Sequence, residues 1–192
     1  MPVNRRLLFF IFLLCSDFVV AQRIEFYKEE LIFTLDSSCF SVNGDYFFRN
    51  PSNSNLNFRI FFPVSKTPGY SAIDTILIYD VTKPDQPLIV EIKDSVASFS
   101  LSFLPFSRKC VKIYYRQHHN GTTARYILLT TQIWQKPLES AKYSLITDKN
   151  IIISHFSIPP DQSEDFGEKI LYYWSRQQFM PDRDFVFEFS AN

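Results

Sequence analysis

Hydrophobic and polar residues alternate with a period of two over much of the chain. Residues 97–103 have the sequence Ala-Ser-Phe-Ser-Leu-Ser-Phe, which is typical of a strand with one solvated face. Residues 56–62 and 185–190 alternate in the same way, whereas residues 76–79 and 151–153 are short apolar runs that predict strands buried on both sides. About eleven candidate strands are separated by turn residues, so the pattern predicts an all-β fold, an immunoglobulin-like or Greek-key antiparallel β-sandwich.

Asparagine–glycine pairs mark two candidate turns. Asn120-Gly121 lies between two stretches with strand character, 111–117 and 126–131, and both of its residues tolerate the positive φ of a tight turn. This pair therefore predicts a β-hairpin. A second pair, which ends at Gly44, predicts either a weaker hairpin or a bulge inside a strand.

Residues 168–178 have features of both a helix and a strand. The segment lacks proline and follows a cluster of polar residues that resembles a helix cap. Ile170, Tyr172 and Trp174 nevertheless alternate with other apolar residues, and aromatic runs favour a pleated surface. The sequence therefore predicts a strand here.

The first 21 residues have the features of a secretory signal peptide. Arg5 and Arg6 precede an uninterrupted apolar stretch, residues 7–14, and Ala21 supplies a small residue before a cleavage site. An uncleaved anchor and a lipid attached to a cysteine are the alternatives. Cleavage would leave residues 22–192 as a single β-sandwich domain, although two small sandwiches divided near residue 105 remain an alternative. We expect the protein to be exported to the periplasm, the cell surface or the medium, with no membrane span in the mature chain.

The composition excludes several classes of function. Twenty basic and twenty acidic residues cancel, so no excess of positive charge indicates nucleic-acid binding. Apolar residues make up 46% of the chain, which suffices for a packed core. The chain has only four glycines, too few to suggest the glycine-rich loops that bind phosphate groups.

The cysteines predict one disulfide. Cys15 would leave with the signal peptide, so that Cys39 and Cys110 remain as a pair in an oxidising compartment. The alternative is two free, buried thiols that act as small apolar residues. A catalytic thiol is not expected, because the sequence assigns no histidine partner to either position.

No other residue pattern predicts catalysis, a metal site or a cofactor. His118 and His119 are adjacent and would point to opposite faces of a strand, so they would not readily share a zinc ion. Acidic residues cluster in segments with turn character, and a Gly-x-Ser-x-Gly motif is absent. Asn120-Gly121-Thr122 matches an N-glycosylation site, which would carry a glycan only in a eukaryotic source.

Aromatic residues are unusually abundant, at 17% of the chain. Exposed rings can stack on sugars or contact protein partners, whereas buried rings would fill the core. The candidate residues for an exposed binding patch are Tyr114, Tyr172, Tyr173 and Trp174. Trp134 precedes a turn and is expected to pack against the core instead.

A series of short patterns extends over most of the chain after the signal peptide. It consists of Tyr46-Phe47-Phe48-Arg49-Asn50, Ile60-Phe61-Phe62-Pro63, residues 126–131, Trp134 with Pro137-Leu138, and residues 179–184. Their order resembles a loose group of bacterial exported β-sandwich domains of unknown function. The resemblance implies a domain of the cell envelope or the extracellular space, and it supplies no catalytic residues.

Together these features predict a non-catalytic structural or protein-interaction module of the cell envelope. The alternative is a carbohydrate-binding module that uses exposed aromatic side chains. A protein or a polysaccharide is therefore the expected partner, and no nucleic acid is expected. A β-sandwich hosts many unrelated functions, so the fold by itself does not separate these hypotheses.

Overall fold

The computed structural model describes residues 24–64, 71 and 73–191, so the predicted signal peptide, residues 1–21, lies outside the described residues. Strands form almost all of the regular structure. In chain order these are β1 (Glu25–Leu35), β2 (Cys39–Arg49), β3 (Leu56–Pro63), β4 (Thr75–Asp80), β5 (Glu91–Lys93), β6 (Val96–Phe103), β7 (Arg108–His118), β8 (Thr123–Tyr126), β9 (Leu138–Asp148), β10 (Ile151–Phe156), β11 (Gln162–Phe166), β12 (Lys169–Phe179) and β13 (Phe185–Ala191). A 3₁₀ helix, Leu129–Trp134, lies between β8 and β9. Within these ranges, no helix is long and apolar enough to cross a membrane.

The strands form a two-layered sandwich, as the alternating pattern predicts. One layer is a seven-stranded sheet with the order β11-β12-β9-β1-β2-β7-β4. The other layer consists of two three-stranded sheets, β10-β13-β8 and β3-β6-β5. Both small sheets pack on the inner face of the large sheet, because the ring of Phe33 contacts Phe187 of β13 and the ring of Tyr46 contacts Phe62 of β3.

The core is built from the alternate residues of each strand that point between the layers. In β1 these are Leu31, Phe33 and Leu35, all of which are buried. The ring of Phe33 also packs edge-on against Phe185, with centroids 5.5 Å apart. Offset and edge-to-face ring pairs are favourable, so the repeated phenylalanines explain how so few residue types fill this core. The all-β sandwich predicted from the sequence is confirmed.

The expectation of an entirely antiparallel sandwich is wrong at one pair of strands. β1 pairs with β2 antiparallel but with β9 parallel, from Lys28 opposite Ser140 to Leu35 opposite Thr147. A parallel pair requires a long crossover connection. The chain between β1 and β9 supplies it, because that stretch contributes strands to all three sheets before it returns.

The two Asn-Gly pairs do not form hairpin turns. β7 pairs with β2 and β4, whereas β8 pairs with β13, so Asn120-Gly121 carries the chain from the large sheet into the other layer. Gly44 lies within the regular pairing of β2. A β-carbon there would lie 2.5 Å from the Leu31 side chain and 2.6 Å from the ring of Tyr46, so the glycine makes room for close packing. Residues 168–178 form most of β12, which confirms the predicted strand.

Candidate functional site

An apolar groove of about 380 Å³ lies between β3 and the 3₁₀ helix. We call it the β3 groove. On one side it is lined by Phe58–Phe61 and Pro63 of β3 with Val96 of β6, and on the other by Thr130, Ile133 and Trp134 of the helix.

The groove follows the edge of β3 rather than one face of its sheet. Successive residues of a strand point to opposite faces, so lining by four consecutive residues places the edge of β3 in the groove over residues 58–61. At the end of β3 the groove also reaches Val96 of β6, which pairs with Pro63. β3 is the first strand in the order β3-β6-β5 and pairs with β6 on one side. Its other edge therefore presents backbone N–H and C=O groups beside an apolar cavity.

Aromatic rings form the floor of the β3 groove. The indole ring of Trp134 packs against Phe26, Phe48 and Phe58, with centroids 5.6–5.8 Å apart. Sequence reasoning expects Trp134 to pack against the core, and the structure confirms this, although one side of the ring also lines the groove. Phe61, which is 66% exposed, and Ile133, which is also exposed, stand at the rim. The groove thus combines a rigid floor with apolar side chains open to solvent.

The 3₁₀ helix that closes the groove is held in place by a buried carboxylate. Asp184 accepts hydrogen bonds from the backbone N–H groups of Leu128 and Leu129, each 2.9 Å long, and from Nε of Arg125 at 2.9 Å. These bonds satisfy N–H groups that the start of a helix leaves without a partner. Asp182, in one of the acidic segments with turn character, pairs instead with its neighbour Arg183.

The charged residue of the groove lining is Arg59, and its charge is turned away from the strand edge. Its guanidinium group donates hydrogen bonds to Glu91 of β5 and, at 2.9 Å, to Ser98 of β6. The side chain therefore extends back across its own sheet. A charged side chain on an edge strand commonly prevents pairing with another strand. At β3 the charge of Arg59 lies over β6 and β5, so it does not block pairing at the free edge.

A second, polar cleft of about 570 Å³ lies beside β6 and is lined by residues 98–102 of that strand, most of which β5 does not pair with. Ser100 and Ser102, which belong to the predicted solvated face of that strand, line it. Lys109 forms an ion pair with Asp80 at the cleft wall. Burial acts to raise the pKa of the Asp80 carboxyl, but hydrogen bonds from Lys109 and Thr82 outweigh it and lower that pKa. The charges of this cleft are thus largely paired with one another.

The predicted aromatic binding patch does not form around Trp174. This residue is 2% exposed, and its indole N–H donates a hydrogen bond of 2.9 Å to the carbonyl of Ile158. Its ring packs edge-on against Phe185, with centroids 5.2 Å apart. Tyr172 lies on the same inner side of β12 and packs on Phe156 at 5.0 Å. Trp174 is therefore part of the core, and Tyr172 is partly buried against it.

The other two patch residues lie far apart. Tyr173 is on β12 and Tyr114 is on β7, with β9, β1 and β2 between them in the sheet. At about 4.8 Å per strand, the two tyrosines are separated by about 19 Å. The four residues therefore do not form the single aromatic platform that the sequence suggests.

The predicted disulfide is also wrong, because Cys39 and Cys110 are both free. Cys39 pairs with His118, whereas Cys110 pairs with Phe47, eight positions further along β2. At about 3.4 Å per residue the two cysteines lie about 27 Å apart, and a disulfide requires Cα atoms within about 7 Å. Burial, with a smaller contribution from the charge of Asp45, raises the pKa of the Cys110 thiol to about 11.

The structure gives Cys39 the histidine partner that sequence reasoning did not find. Nδ1 of His118 lies 3.2 Å from Sγ of Cys39. The neighbouring His119 instead has its Nε2 2.9 Å from the backbone oxygen of Asp36.

Asn120 is exposed, so the N-glycosylation motif is accessible. Among the described residues, no group of three or more histidine, cysteine or acidic side chains is placed to hold a metal ion.

Comparisons by sequence find no relatives. No known protein family matches the chain, and no curated protein sequence matches it. The resemblance to exported β-sandwich domains therefore stays a prediction.

Comparisons by structure find the same fold in longer proteins. A "putative nutrient binding protein" from Legionella pneumophila superposes with a TM-score of 0.70 at 12% identity, over 86% of this chain and 66% of that one. An M1 zinc metallopeptidase from Deinococcus radiodurans superposes with a TM-score of 0.52 at 8% identity, over 86% of this chain and 42% of that one. The chain thus spans about two thirds of the length of the Legionella protein and about two fifths of the length of the Deinococcus peptidase. At such low identity the likeness establishes a shared β fold and nothing about activity.

Proposed function

We propose that the protein is an exported, non-catalytic interaction domain that binds an extended segment of a partner protein along the free edge of β3. The observation that carries the proposal is the coincidence of that edge with the β3 groove. The partner's backbone would pair with β3, and its alternate side chains would enter the groove. This is the mode of recognition in which a peptide adds a strand to an existing sheet.

The chemistry of the groove favours a peptide with apolar side chains. Its floor is made of the packed rings around Trp134, and its rim carries Phe61 and Ile133. Burying exposed apolar surface contributes about 25 cal/mol per Å² to binding, before the costs of association are subtracted. β3 is eight residues long, so a partner segment of similar length would match it.

The carbohydrate-binding alternative has less support. A sugar-binding platform needs rings that lie open with polar groups around them, and Trp174 is buried. The β3 groove offers mainly hydrocarbon surface on its walls, and its guanidinium group already binds Glu91 and Ser98. Both features match a peptide better than a pyranose.

Two further observations are consistent with a module of this kind. The same fold forms part of longer chains in the Legionella protein and in the M1 peptidase, which suits a domain that acts beside another polypeptide. Residues 1–21 have the composition of a signal peptide, so export is part of the proposal.

Tryptophan fluorescence tests this function directly, because Trp134 lines the groove. The probe is an eight-residue peptide of alternating valine and threonine with blocked ends. The matched control peptide carries proline in place of each threonine, since proline cannot donate the backbone hydrogen bonds of a strand. We expect a saturable change in emission with the first peptide only, and its loss in Trp134→Phe.

A pair of variants locates the binding surface. Phe61 and Phe166 are both 66% exposed, but only Phe61 lines the groove. Phe61→Ala should weaken binding about fivefold, which corresponds to about 1 kcal/mol, and Phe166→Ala should leave it unchanged. An equal response to both peptides, or equal affinities of the two variants, would contradict the proposal.

A further inference from the structure

Three side chains form a linear relay at one end of the large sheet, on its outer face. The relay consists of Cys39, His118 and Asp74. Sγ of Cys39 lies 3.2 Å from Nδ1 of His118, and Oδ2 of Asp74 lies 3.2 Å from Nε2 of the same ring. The thiol and the carboxylate therefore contact opposite sides of one imidazole. This is the order of nucleophile, base and orienting group that activates a thiol.

Strand pairing brings these residues together from three distant parts of the sequence. Cys39 is the first residue of β2 and pairs with His118, the last residue of β7. Asp74 directly precedes β4, the strand on the other side of β7. Arg116 lies two residues before His118 on the same face and donates a hydrogen bond of 3.0 Å from Nε to Asp74. That bond holds the carboxylate beside the ring.

We propose that Cys39 is a reactive thiol that undergoes exchange with small disulfides, with His118 as its proton acceptor and Asp74 as the residue that positions His118. Nδ1 of His118 takes the proton from Sγ of Cys39. The thiolate attacks one sulfur of the disulfide, a new S–S bond forms to Cys39, and the original S–S bond breaks. The other half leaves as a thiolate and receives the proton from His118. Cys39 is thereby oxidised to a mixed disulfide, and the released thiol is the reduced product.

The surroundings of Cys39 favour this reaction over acyl transfer. Acyl transfer needs N–H donors that stabilise an oxyanion. The backbone N–H groups of Ser38 and Cys39 both donate to Oδ1 of Asp36, at 2.8 and 2.7 Å. Burial acts to raise the pKa of Asp36, but these N–H bonds outweigh it and hold that pKa below its usual value. An oxyanion at Cys39 would thus face a carboxylate, whereas attack on a disulfide needs no oxyanion hole.

The position of the second cysteine determines the outcome of the reaction. Cys110 lies about 27 Å along the sheet, by the rise of about 3.4 Å per residue, so it cannot displace the group bound to Cys39. The mixed disulfide therefore persists until an external thiol removes it. Cys39 is 9% exposed beside His118, which is 58% exposed, so a small disulfide reaches the sulfur more readily than a protein loop does. The charged or titratable groups around it are Asp36, Asp74, Arg116, His118 and His119.

The test measures thiol exchange on the full chain with Cys15→Ser. The probes are an aromatic disulfide that releases a coloured thiol, for the rate, and oxidised glutathione, for the product mass. We expect one equivalent to react at pH 7, with glutathione attached to Cys39. Cys110, whose thiol pKa is raised to about 11, should react at least tenfold more slowly. Cys110→Ser should leave the fast reaction intact, and Cys39→Ser should abolish it.

The pH profile separates proton transfer from a structural effect. His118→Asn should slow the reaction about threefold or more at pH 7, and the difference should shrink as the pH rises, because hydroxide then removes the thiol proton without help from the ring. His155→Asn, a histidine on β10, is the matched control and should leave the profile unchanged. Asp74→Asn should shift the profile in the same direction as His118→Asn but less. The proposal fails if Cys39 reacts no faster than Cys110, or if His118→Asn leaves the rate unchanged across the pH range.

Discussion

Glu29 is a carboxyl group buried in the core, and its replacement by glutamine gives a quantitative test of the structure. It points inward from β1 and is 1% exposed. The hydroxyl of Tyr143 donates a hydrogen bond to it. Burial raises the pKa of Glu29 to about 7, and the bond from Tyr143 offsets only part of that rise.

The raised pKa fixes the direction of the pH dependence. In the unfolded chain Glu29 has the ordinary value of 4.5, so between pH 4.5 and about 7 the folded state holds a proton that the unfolded state has lost. The stabilisation is complete below pH 4.5 and is lost as the pH rises through about 7. At about 1.4 kcal/mol per pH unit, this loss amounts to about 3 kcal/mol in the free energy of unfolding.

Urea unfolding at pH 5 and at pH 7.5 measures this effect. The wild-type protein should be less stable at pH 7.5 by about 2–3 kcal/mol, whereas Glu29→Gln should show little difference between the two values. Glutamine keeps an oxygen that can accept the bond from Tyr143 and carries no charge. The carboxyls of Glu25, Asp36 and Asp80 have lowered pKa values, so they titrate below this window.

Glu30→Gln is the control, because Glu30 is the neighbouring residue and pairs with Lys28 at the surface. It should keep the pH dependence of the wild-type protein. If the free energy of unfolding fell by the same amount between pH 5 and pH 7.5 in the wild type and in Glu29→Gln, the proposed burial of the Glu29 carboxyl group would be refuted.

Three other substitutions or treatments test separate parts of the structure. Gly44→Ala should reduce the free energy of unfolding by about 1–3 kcal/mol in urea titrations, because its β-carbon would lie 2.5 Å from a leucine side chain; wild-type stability would contradict that packing. Asp184→Ala should lower the free energy of unfolding by about 2–4 kcal/mol, since it removes the acceptor of two backbone N–H groups. Asp182→Ala should leave the melting temperature unchanged, and equal melting temperatures of the two variants would contradict the anchoring role of Asp184. A reducing agent should leave the melting temperature unaltered because Cys39 and Cys110 are free, and a lower value would indicate a disulfide.

The two-residue period of the sequence predicts much of the fold. Alternation at residues 97–103 corresponds to β6, and the aromatic alternation at residues 168–178 corresponds to β12. These predictions succeed because the period of a strand depends on local geometry alone. The position of Trp134 before a turn also sufficed to place it against the core.

Which of the two faces of a strand points into the core is harder to predict than the alternation itself. Both faces of β12 carry apolar or aromatic residues, with Tyr172 and Trp174 on one side and Leu171 and Tyr173 on the other. Nothing local to the strand decides which side faces the second layer. The sequence therefore offers Trp174 as a binding residue although it is fully packed.

Contacts between distant strands are the part that the sequence does not reveal. Cys39 and His118 are 79 positions apart, and they meet because β2 and β7 are neighbours in register. The parallel pairing of β1 with β9 depends in the same way on the order of strands in the sheet. The β3 groove arises where an edge strand meets the 3₁₀ helix, so it too follows from topology rather than from a motif.

Backbone hydrogen exchange of β3 with and without bound peptide is the most direct test of the central claim. In the presence of the valine–threonine peptide, added protection should be confined to residues 56–63 and the adjoining 3₁₀ helix, because a pairing strand satisfies the backbone groups of that edge. The proline-containing peptide should add none. Protection at another edge strand, such as β11, or unchanged exchange in β3 when the peptide is bound, would contradict the proposed mode of recognition.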